Sequence, residues 1–229
     1  MKPIFKHYRE IDQAYILSDF HMHSTWTDGV GSIEENILAA RKKGLNQIAA
    51  TDHIRHTSTY FEGYSEEIRA LRERLDFPVY IGFEAKVNDF QGTIDVSDAD
   101  LQRSELSICS VHRYPIGKKL IPAKAFSSQV SQEIELELTI AALSRGGFSV
   151  MGHPGGMSLR THNEFNMEYF EEIIDACQKN GIAFDFNSSY HQDVKQDLVE
   201  LFKKYDPLIS IGSDAHHPDL IGNASKSLF

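Results

Sequence analysis

Two histidines separated by a single residue, His21 and His23, are the first group in this sequence that could bind a metal. In an extended strand, side chains two positions apart point to the same face, so both imidazoles could reach one ion. Asp214 and His216 repeat this spacing near the end of the chain. Imidazoles and carboxylates together suit Zn²⁺, Mn²⁺ or Fe²⁺ better than Ca²⁺ or Mg²⁺. No cysteine cluster accompanies them, which disfavours a closed structural zinc site.

Other ionisable residues follow short apolar runs elsewhere in the chain. They are Asp52, His53, Glu84, His112 and His153. Six of the seven runs thus end in a histidine or a carboxylate. In parallel β/α barrels, the carboxyl ends of the strands form the active site. So many unpaired ionisable groups around one barrel mouth would be costly without cations, so the cluster predicts a metal centre.

The elements that must position these residues alternate regularly. Short apolar runs bounded by turn residues predict buried strands over residues 15–20, 47–51, 79–83, 106–111, 148–152, 182–186 and 208–212. Apolar spacing near 3.6 predicts helices over 36–43, 65–75, 130–145, 167–180 and 194–205, with a short one over 97–103. This alternation indicates parallel strands joined by crossover helices. A seven-stranded α/β barrel is expected, with an open doubly wound sheet as the alternative.

Composition narrows the class of protein. The chain has 229 residues and a net charge of −10, which disfavours stable binding to nucleic acid or anionic membranes. No apolar run approaches the ~20 residues of a membrane span, and the first residues lack the apolar segment of a secretory signal. With only two cysteines, a cytoplasmic location is expected. Residues 1–229 are interpreted as one domain.

The ordered set of motifs resembles the PHP (polymerase and histidinol phosphatase) superfamily. It consists of His21-Met22-His23, Asp28-Gly29, Thr51-Asp52-His53, Glu84, His112, Gly152-His153-Pro154 and Ser213-Asp214-Ala215-His216. The resemblance implies a distorted seven-stranded, TIM-like barrel that holds two or three divalent ions (Zn, Mn or Fe). It also implies hydrolysis of a phosphate ester of a small metabolite, in the manner of a histidinol phosphatase.

Residue by residue, the resemblance also implies a set of ligands. One ion would be bound by His21, His23 and Asp214, and a second by Glu84, His112 and His153, with Glu84 bridging the two. A third would be bound by Asp28, His53 and His216. Glu84, Asp214 and His216 are interpreted as catalytic residues too, because hydroxide formed from a water on these ions would attack phosphorus. Asp52 is expected to support the ligands from outside the metal shell.

Basic residues near the strand ends could bind the phosphate. Arg113, Arg160 and Arg55 each follow a predicted strand, and arginine binds phosphate through two parallel hydrogen bonds. The resemblance favours Arg160, because histidinol phosphatases carry an arginine in the loop after the fifth strand. Residues 187–191 replace a stretch in which those phosphatases carry another arginine, which weakens the assignment to histidinol phosphate. His191 could instead contact the substrate or donate a proton.

Other activities remain open from the sequence alone. An amidohydrolase-like enzyme acting on C–N or lactone bonds would share the barrel and the His21-Met22-His23 motif, but Lys86 is the only nearby lysine that could bridge metals. A phosphodiesterase or nuclease acting on nucleotides is a further alternative, and a non-catalytic scaffold is disfavoured because the ligand set is complete. The chain as given has no polymerase module, so a free-standing hydrolase is expected. The number of chains that assemble is left undetermined.

Overall fold

The computed structural model describes residues 5–117 and 119–224. Its strands are β1 (Lys6–His7), β2 (Ser18–Asp19), β3 (Gln47–Ala50), β4 (His53–Ile54), β5 (Val79–Lys86), β6 (Leu106–Ser110), β7 (Tyr114–Ile116), β8 (Lys119–Ile121), β9 (Val150–Gly152), β10 (Ala183–Asn187) and β11 (Leu208–Gly212). Its helices are α1 (Gln13–Ile16), α2 (Ile33–Lys42), α3 (Phe61–Leu75), α4 (Asp98–Arg103), α5 (Ser128–Arg145), α6 (Gly156–His162), α7 (Met167–Asn180) and α8 (Lys195–Tyr205).

The main sheet has the order β1-β11-β10-β9-β6-β5-β3-β2, and β4 pairs separately with β5. All of its neighbouring strands are parallel except β1, which is antiparallel to β11. Backbone hydrogen bonds from Phe20 N to Ile211 O (2.8 Å) and from Asp214 N to His21 O (2.9 Å) link the two ends of the sheet. The sheet therefore curls into the expected α/β barrel rather than an open doubly wound sheet.

Each of the seven predicted runs contributes a strand, but the first strand is shorter than predicted. Only Ser18 and Asp19 are extended, because Tyr15 lies in α1. The side chain of Asp12 caps this helix by accepting a hydrogen bond from Tyr15 N (2.8 Å). The helix α6, the strands β1 and β4, and the hairpin formed by β7 and β8 were not predicted from the sequence.

The predicted helices are present, and local signals explain their ends. At α2, Glu35 N donates to Ser32 Oγ (3.2 Å), and Ser32 N donates to the Glu35 carboxylate (2.8 Å), which is a capping box. At the C-terminal end of α7, Gly181 adopts a φ of 64°. Glycine reaches this left-handed conformation without a steric penalty, so the helix ends there. Within the described residues, no helix is long and apolar enough to cross a membrane.

Alternating side chains of β10 show how the barrel separates its apolar core from its polar interior. Phe184 points outward and packs on Phe170 of α7 and Phe202 of α8, with ring centroids 6.3 and 5.2 Å apart. Asp185 points the other way and contacts His21 across the barrel. Because successive side chains of a strand face opposite sides, one strand serves both purposes. The helices thus cover the apolar face while polar groups converge inside.

Candidate metal centre

The predicted ligands converge at the carboxyl ends of the strands. His21 and His23 follow β2, His53 begins β4, Glu84 lies in β5, His112 follows β6, His153 follows β9, and Asp214 and His216 follow β11. Donor atoms within 4.8 Å of one another form three overlapping groups among the described residues. These groups are His21, His23, Glu84 and Asp214; His23, Asp28, His53 and His216; and His53, Glu84 and His112.

Glu84 is the centre of the cluster. Its Oε1 lies 3.1 Å from His112 Nε2 and 3.0 Å from His153 Nε2, and its Oε2 lies 3.0 Å from His53 Nδ1. Burial opposes ionisation of this carboxyl, but the neighbouring imidazoles, His112 and His21 foremost, hold its pKa well below the usual range. A buried carboxylate among imidazoles can bridge two cations.

His23 and Asp214 form a close pair in the cluster, and Asp214 has a strained backbone. His23 Nε2 lies 3.0 Å from Asp214 Oδ1, and burial opposes ionisation of Asp214, yet the contact with His23 keeps the pKa of this carboxyl low. Asp214 has a φ of 51° and His153 a φ of 29°. Positive φ values in residues other than glycine are costly and occur where the surrounding structure requires them, often at active sites.

Asp28 completes the cluster on its solvent side. Its carboxylate lies 3.4 Å from His53 Nε2 and 3.5 Å from His216 Nε2, and its side chain is 54% exposed. Burial alone would lower the pKa of His53, but the Glu84 and Asp28 carboxylates raise it to about 9. This outer group therefore faces the solvent, where a substrate could reach it.

The chemistry of the cluster fits divalent ions. His21 Nε2 and His23 Nδ1 are buried and have no hydrogen-bond partner among the described residues. Buried nitrogens are rarely left without a partner, and here they lie among carboxylates in a set typical of Zn²⁺, Mn²⁺ or Fe²⁺. The cluster can thus hold metal ions. The partition of its residues among individual ions remains a prediction.

Two buried carboxylates support the ligands. Asp185 Oδ2 lies 2.9 Å from His21 Nδ1, and it accepts hydrogen bonds from Asn187 Nδ2 (3.0 Å) and His153 N (3.2 Å). Such a partner fixes the tautomer and orientation of a metal-binding imidazole. Asp185 was not predicted from the sequence, because β10 supplies no ligand, although its alternation with Phe184 indicates an inward-facing carboxylate.

Asp52 lies outside the three groups of donor atoms, as the sequence predicted. Its Oδ1 accepts hydrogen bonds from Ser24 N (2.9 Å) and Thr27 Oγ1 (2.7 Å), and its Oδ2 accepts one from Ser24 Oγ (2.7 Å). These bonds tie the end of β3 to the loop between His23 and Asp28. Asp52 thus stabilises the segment that carries two of the predicted ligands.

The cluster opens into a cavity of about 530 Å³. Its basic lining residues are Arg55, Lys86, Arg113 and Arg160. The three predicted phosphate-binding arginines therefore lie in the cavity that contains the metal cluster. An adjacent cavity of about 890 Å³ shares Arg160, Tyr190 and His216 with the first. Both cavities surround the ligands on their solvent side.

The structure places His191 away from the substrate cavity. Its ring is fully buried, its Nδ1 accepts a hydrogen bond from Asn187 N (3.1 Å), and its Nε2 lies 2.8 Å from Pro154 O. Both nitrogens are engaged by the backbone, so the expected contact with the substrate does not match this placement. The neighbouring Tyr190 lines the cavity instead, with its ring centroid 4.5 Å from that of His153.

Glu135 of α5 anchors the segment that carries Arg160. Its buried carboxylate accepts hydrogen bonds from Met157 N (3.0 Å), Ser158 N (2.8 Å) and Ser158 Oγ (2.6 Å). These donors lie in the first turn of α6, where free N–H groups favour a negative charge. This role was not predicted from the sequence. A glutamate in a predicted helix is normally expected on the face that points to solvent, whereas Glu135 is buried.

A barrel whose strand ends carry a cluster of histidines and carboxylates defines the class of β/α-barrel metal-dependent hydrolases. The model of the PHP domain family matches residues 19–189. The chain therefore belongs to the PHP domain family. The predictions of this family, of its barrel fold and of a metal-dependent phosphoesterase are confirmed.

Curated relatives are similar along most of this chain. A probable phosphatase of Caldicellulosiruptor bescii is 29% identical over 202 residues, which cover 83% of this chain and 75% of the relative. The DNA polymerase/3′-5′ exonuclease PolX of Bacillus subtilis is 24% identical over 220 residues. That match covers 92% of this chain but 36% of the polymerase, so the chain corresponds to about a third of that protein.

Two solved structures share the fold. The histidinol phosphate phosphatase of Lactococcus lactis, in complex with zinc, L-histidinol and phosphate, has a TM-score of 0.72 and 18% identity, with 92% of this chain and 91% of that chain covered. The putative histidinol phosphatase of Listeria monocytogenes has a TM-score of 0.74 and 17% identity, with 93% and 100% covered. Because the sequence identities are below 20%, these two comparisons show a shared fold and nothing more specific.

Proposed function

We propose that this protein hydrolyses a phosphate monoester of a small metabolite with the help of bound divalent ions. The observation that carries the proposal is that Glu84, at the centre of the cluster, lines the same cavity as Arg113 and Arg160. Metal ligands and phosphate-binding groups in one cavity are the parts that phosphoester hydrolysis requires. The small phosphorylated substrate of the Lactococcus lactis enzyme supports this choice of substrate class.

Two or three ions are proposed, with zinc, manganese and iron as candidates. His21, His23 and Asp214 would hold one ion, and Glu84, His112 and His153 a second. Asp28, His53 and His216 would hold a third. When bound, such ions lower the pKa of a coordinated water and place positive charge next to phosphoryl oxygens. Because the Lactococcus lactis structure contains zinc, zinc is the first candidate among these metals.

The chain's own residues orient the ester. Arg160 and Arg113 bind the non-bridging oxygens of the phosphate and neutralise the charge that develops on them. Burial raises the pKa of Tyr190, so its phenol keeps its proton at neutral pH. Because Tyr190 lines the cavity, its Oη can donate a hydrogen bond to the ester oxygen as the alcohol departs. Asp185 keeps His21 oriented throughout.

The amidohydrolase alternative receives no support from the position of Lys86. Its Nζ lies 3.0 Å from Oδ2 of Asp95, a carboxylate that belongs to none of the groups of metal-binding donors in the described part of the chain. A lysine that bridges two metals would have to reach that cluster. A cytoplasmic location remains a prediction.

The test is hydrolysis by the protein loaded in turn with zinc, manganese or iron, followed as phosphate release from monoesters and by chromatography of the products for the other substrates. Phosphate monoesters, phosphate diesters, an amide and a lactone form the panel, each assayed with and without a chelator. We expect release from monoesters that the chelator abolishes and added metal restores. Turnover confined to diesters would favour a phosphodiesterase, and turnover of the amide or lactone without phosphate release would favour an amidohydrolase-like enzyme. A rate that the chelator leaves unchanged would contradict the proposal.

A further inference from the structure

Two cations that the metal cluster does not use, Arg55 and Lys86, line the same cavity. β4 pairs in parallel with β5, and His53 lies opposite Glu84 in this pair. Arg55 is the first residue after the end of β4, and Lys86 is the last residue of β5. Alternate residues of a strand share a face, so Lys86 lies on the same face of β5 as Glu84, about 7 Å further along the strand. Both line the cavity that contains the cluster.

Asp95 holds this pair of cations in place. Its Oδ2 lies 3.0 Å from Lys86 Nζ, and its Oδ1 accepts a hydrogen bond from His56 N (2.9 Å), next to Arg55 in the chain. One carboxylate therefore fixes both the lysine and the segment that carries the arginine. An ammonium has three N–H donors and Arg55 has five, so donors remain for a ligand after the contact with Asp95.

The charges of the cavity exceed what one phosphate needs. Its carboxylates are Asp28, Glu84 and Asp214, all of them proposed metal ligands. Bound ions together with Arg160 and Arg113 would neutralise a single phosphate at the cluster. Asp95, which is not a proposed metal ligand, is the anionic partner of Lys86 and also binds the segment that carries Arg55. Exposed cations that converge on one cavity favour an anionic ligand.

We propose that Arg55 and Lys86 form a subsite for a second anionic group of the substrate, either a carboxylate or another phosphate. The inference rests on the proposed hydrolysis, because it takes the metal cluster as the site of the phosphate that is cleaved. It defines the substrate class as a phosphate monoester with a second anion a few bonds away. An ester whose remote end is neutral would leave the pair unused.

Three phosphonates that cannot be hydrolysed test the subsite through binding alone. Propylphosphonate has a neutral end, 2-carboxyethylphosphonate has a carboxylate there, and 1,3-propylenediphosphonate has a second phosphonate. Their dissociation constants are measured by titration calorimetry on the metal-loaded protein. We expect at least one of the two ligands with a second anion to bind about tenfold more tightly than propylphosphonate, since it adds a charge-assisted hydrogen bond. The better of the two identifies the second anion.

The double variant Arg55→Gln/Lys86→Gln should lose this preference, so that its affinities for the three phosphonates lie within about twofold of one another. Arg69→Gln, on the exposed surface of α3 and outside the cavity, is the matched control and should keep it. Equal affinities of the three ligands for the wild type, or a preference that survives the double variant, would overturn the subsite. A binding preference without phosphate release from any ester would instead retain the subsite and overturn the proposed function.

Discussion

Asp185 Oδ2 lies 2.9 Å from Nδ1 of His21, and both side chains are fully buried at the centre of the barrel. Burial opposes a charge on His21, but Glu84 and Asp185 together raise the pKa of its imidazole well above the usual value. The opposite ring nitrogen, Nε2, faces Glu84 Oε1 at 3.3 Å. Asp185 thus sets which nitrogen of His21 is presented to the cluster, although its strand, β10, supplies no predicted ligand.

Replacing Asp185 with asparagine should weaken metal binding without unfolding the protein. The amide keeps an acceptor for His153 N but removes the charge next to His21. We expect the affinity for zinc to fall by about 10- to 100-fold. Competition with a chelating dye measures it, and Asp175→Asn, on the exposed face of α7, is the control. Unchanged zinc affinity would show that Asp185 does not orient His21.

Glu84→Gln should remove the centre of the cluster. The variant has one neutral oxygen where His53, His112 and His153 now face a carboxylate. Ligands that bind only the folded state stabilise it, so zinc should raise the melting temperature of the wild type much more than that of the variant. Phosphate release should fall at least about a hundredfold. Thermal unfolding with and without zinc provides the measurement, and an equal rise in both proteins would contradict the central role.

Arg160→Lys tests whether Arg160 binds the phosphate through two parallel hydrogen bonds, as proposed. Lysine keeps the positive charge but loses the planar fork that binds two phosphate oxygens at once. We expect kcat/KM for the best monoester to fall about tenfold or more, while zinc content stays constant because no ligand is altered. Arg69→Lys serves as the surface control in the same assay. Full activity in Arg160→Lys would place the phosphate elsewhere in the cavity.

His191 should give the folded protein a measurable sensitivity to acid. Burial lowers its pKa to about 4 from an ordinary value of 6.5. Above pH 6.5 the ring is neutral in both states, but between pH 6.5 and 4 the unfolded chain binds the extra proton. The free energy of unfolding therefore falls as the pH drops through this window, by about 3 kcal/mol at most.

His191→Gln isolates this contribution, because glutamine can accept from Asn187 N and donate to Pro154 O but does not titrate. Urea unfolding of the metal-free proteins at several values of pH should show a shallower loss of stability for the variant between pH 6.5 and 4. His56→Gln, at an exposed position, should follow the wild type. Identical curves for all three proteins would contradict the assignment.

The sequence by itself predicted the parts that depend on local pattern. The buried runs end in polar residues, and these residues lie at the carboxyl ends of the barrel strands. The positions of His53, Glu84, His112 and His153 in the sequence were therefore enough to group them. The capping box at Ser32 and Glu35 likewise involves residues three positions apart. Parallel strands bring their carboxyl ends to one edge whatever their exact bounds, which is why errors at the first strand did not affect the site.

Only the tertiary structure decided which distant groups meet. Asp185 supports His21 from 164 positions away, and Glu135 anchors the first turn of α6 across more than 20 positions. The two-residue strand β4 is too short to give a periodic signal, yet its pairing with β5 sets His53 opposite Glu84. His191 is buried because the turn after β10 folds back onto Pro154. The type of residue at each strand end is visible in the local sequence. The contacts that orient these side chains depend on long-range packing, which the local sequence does not show.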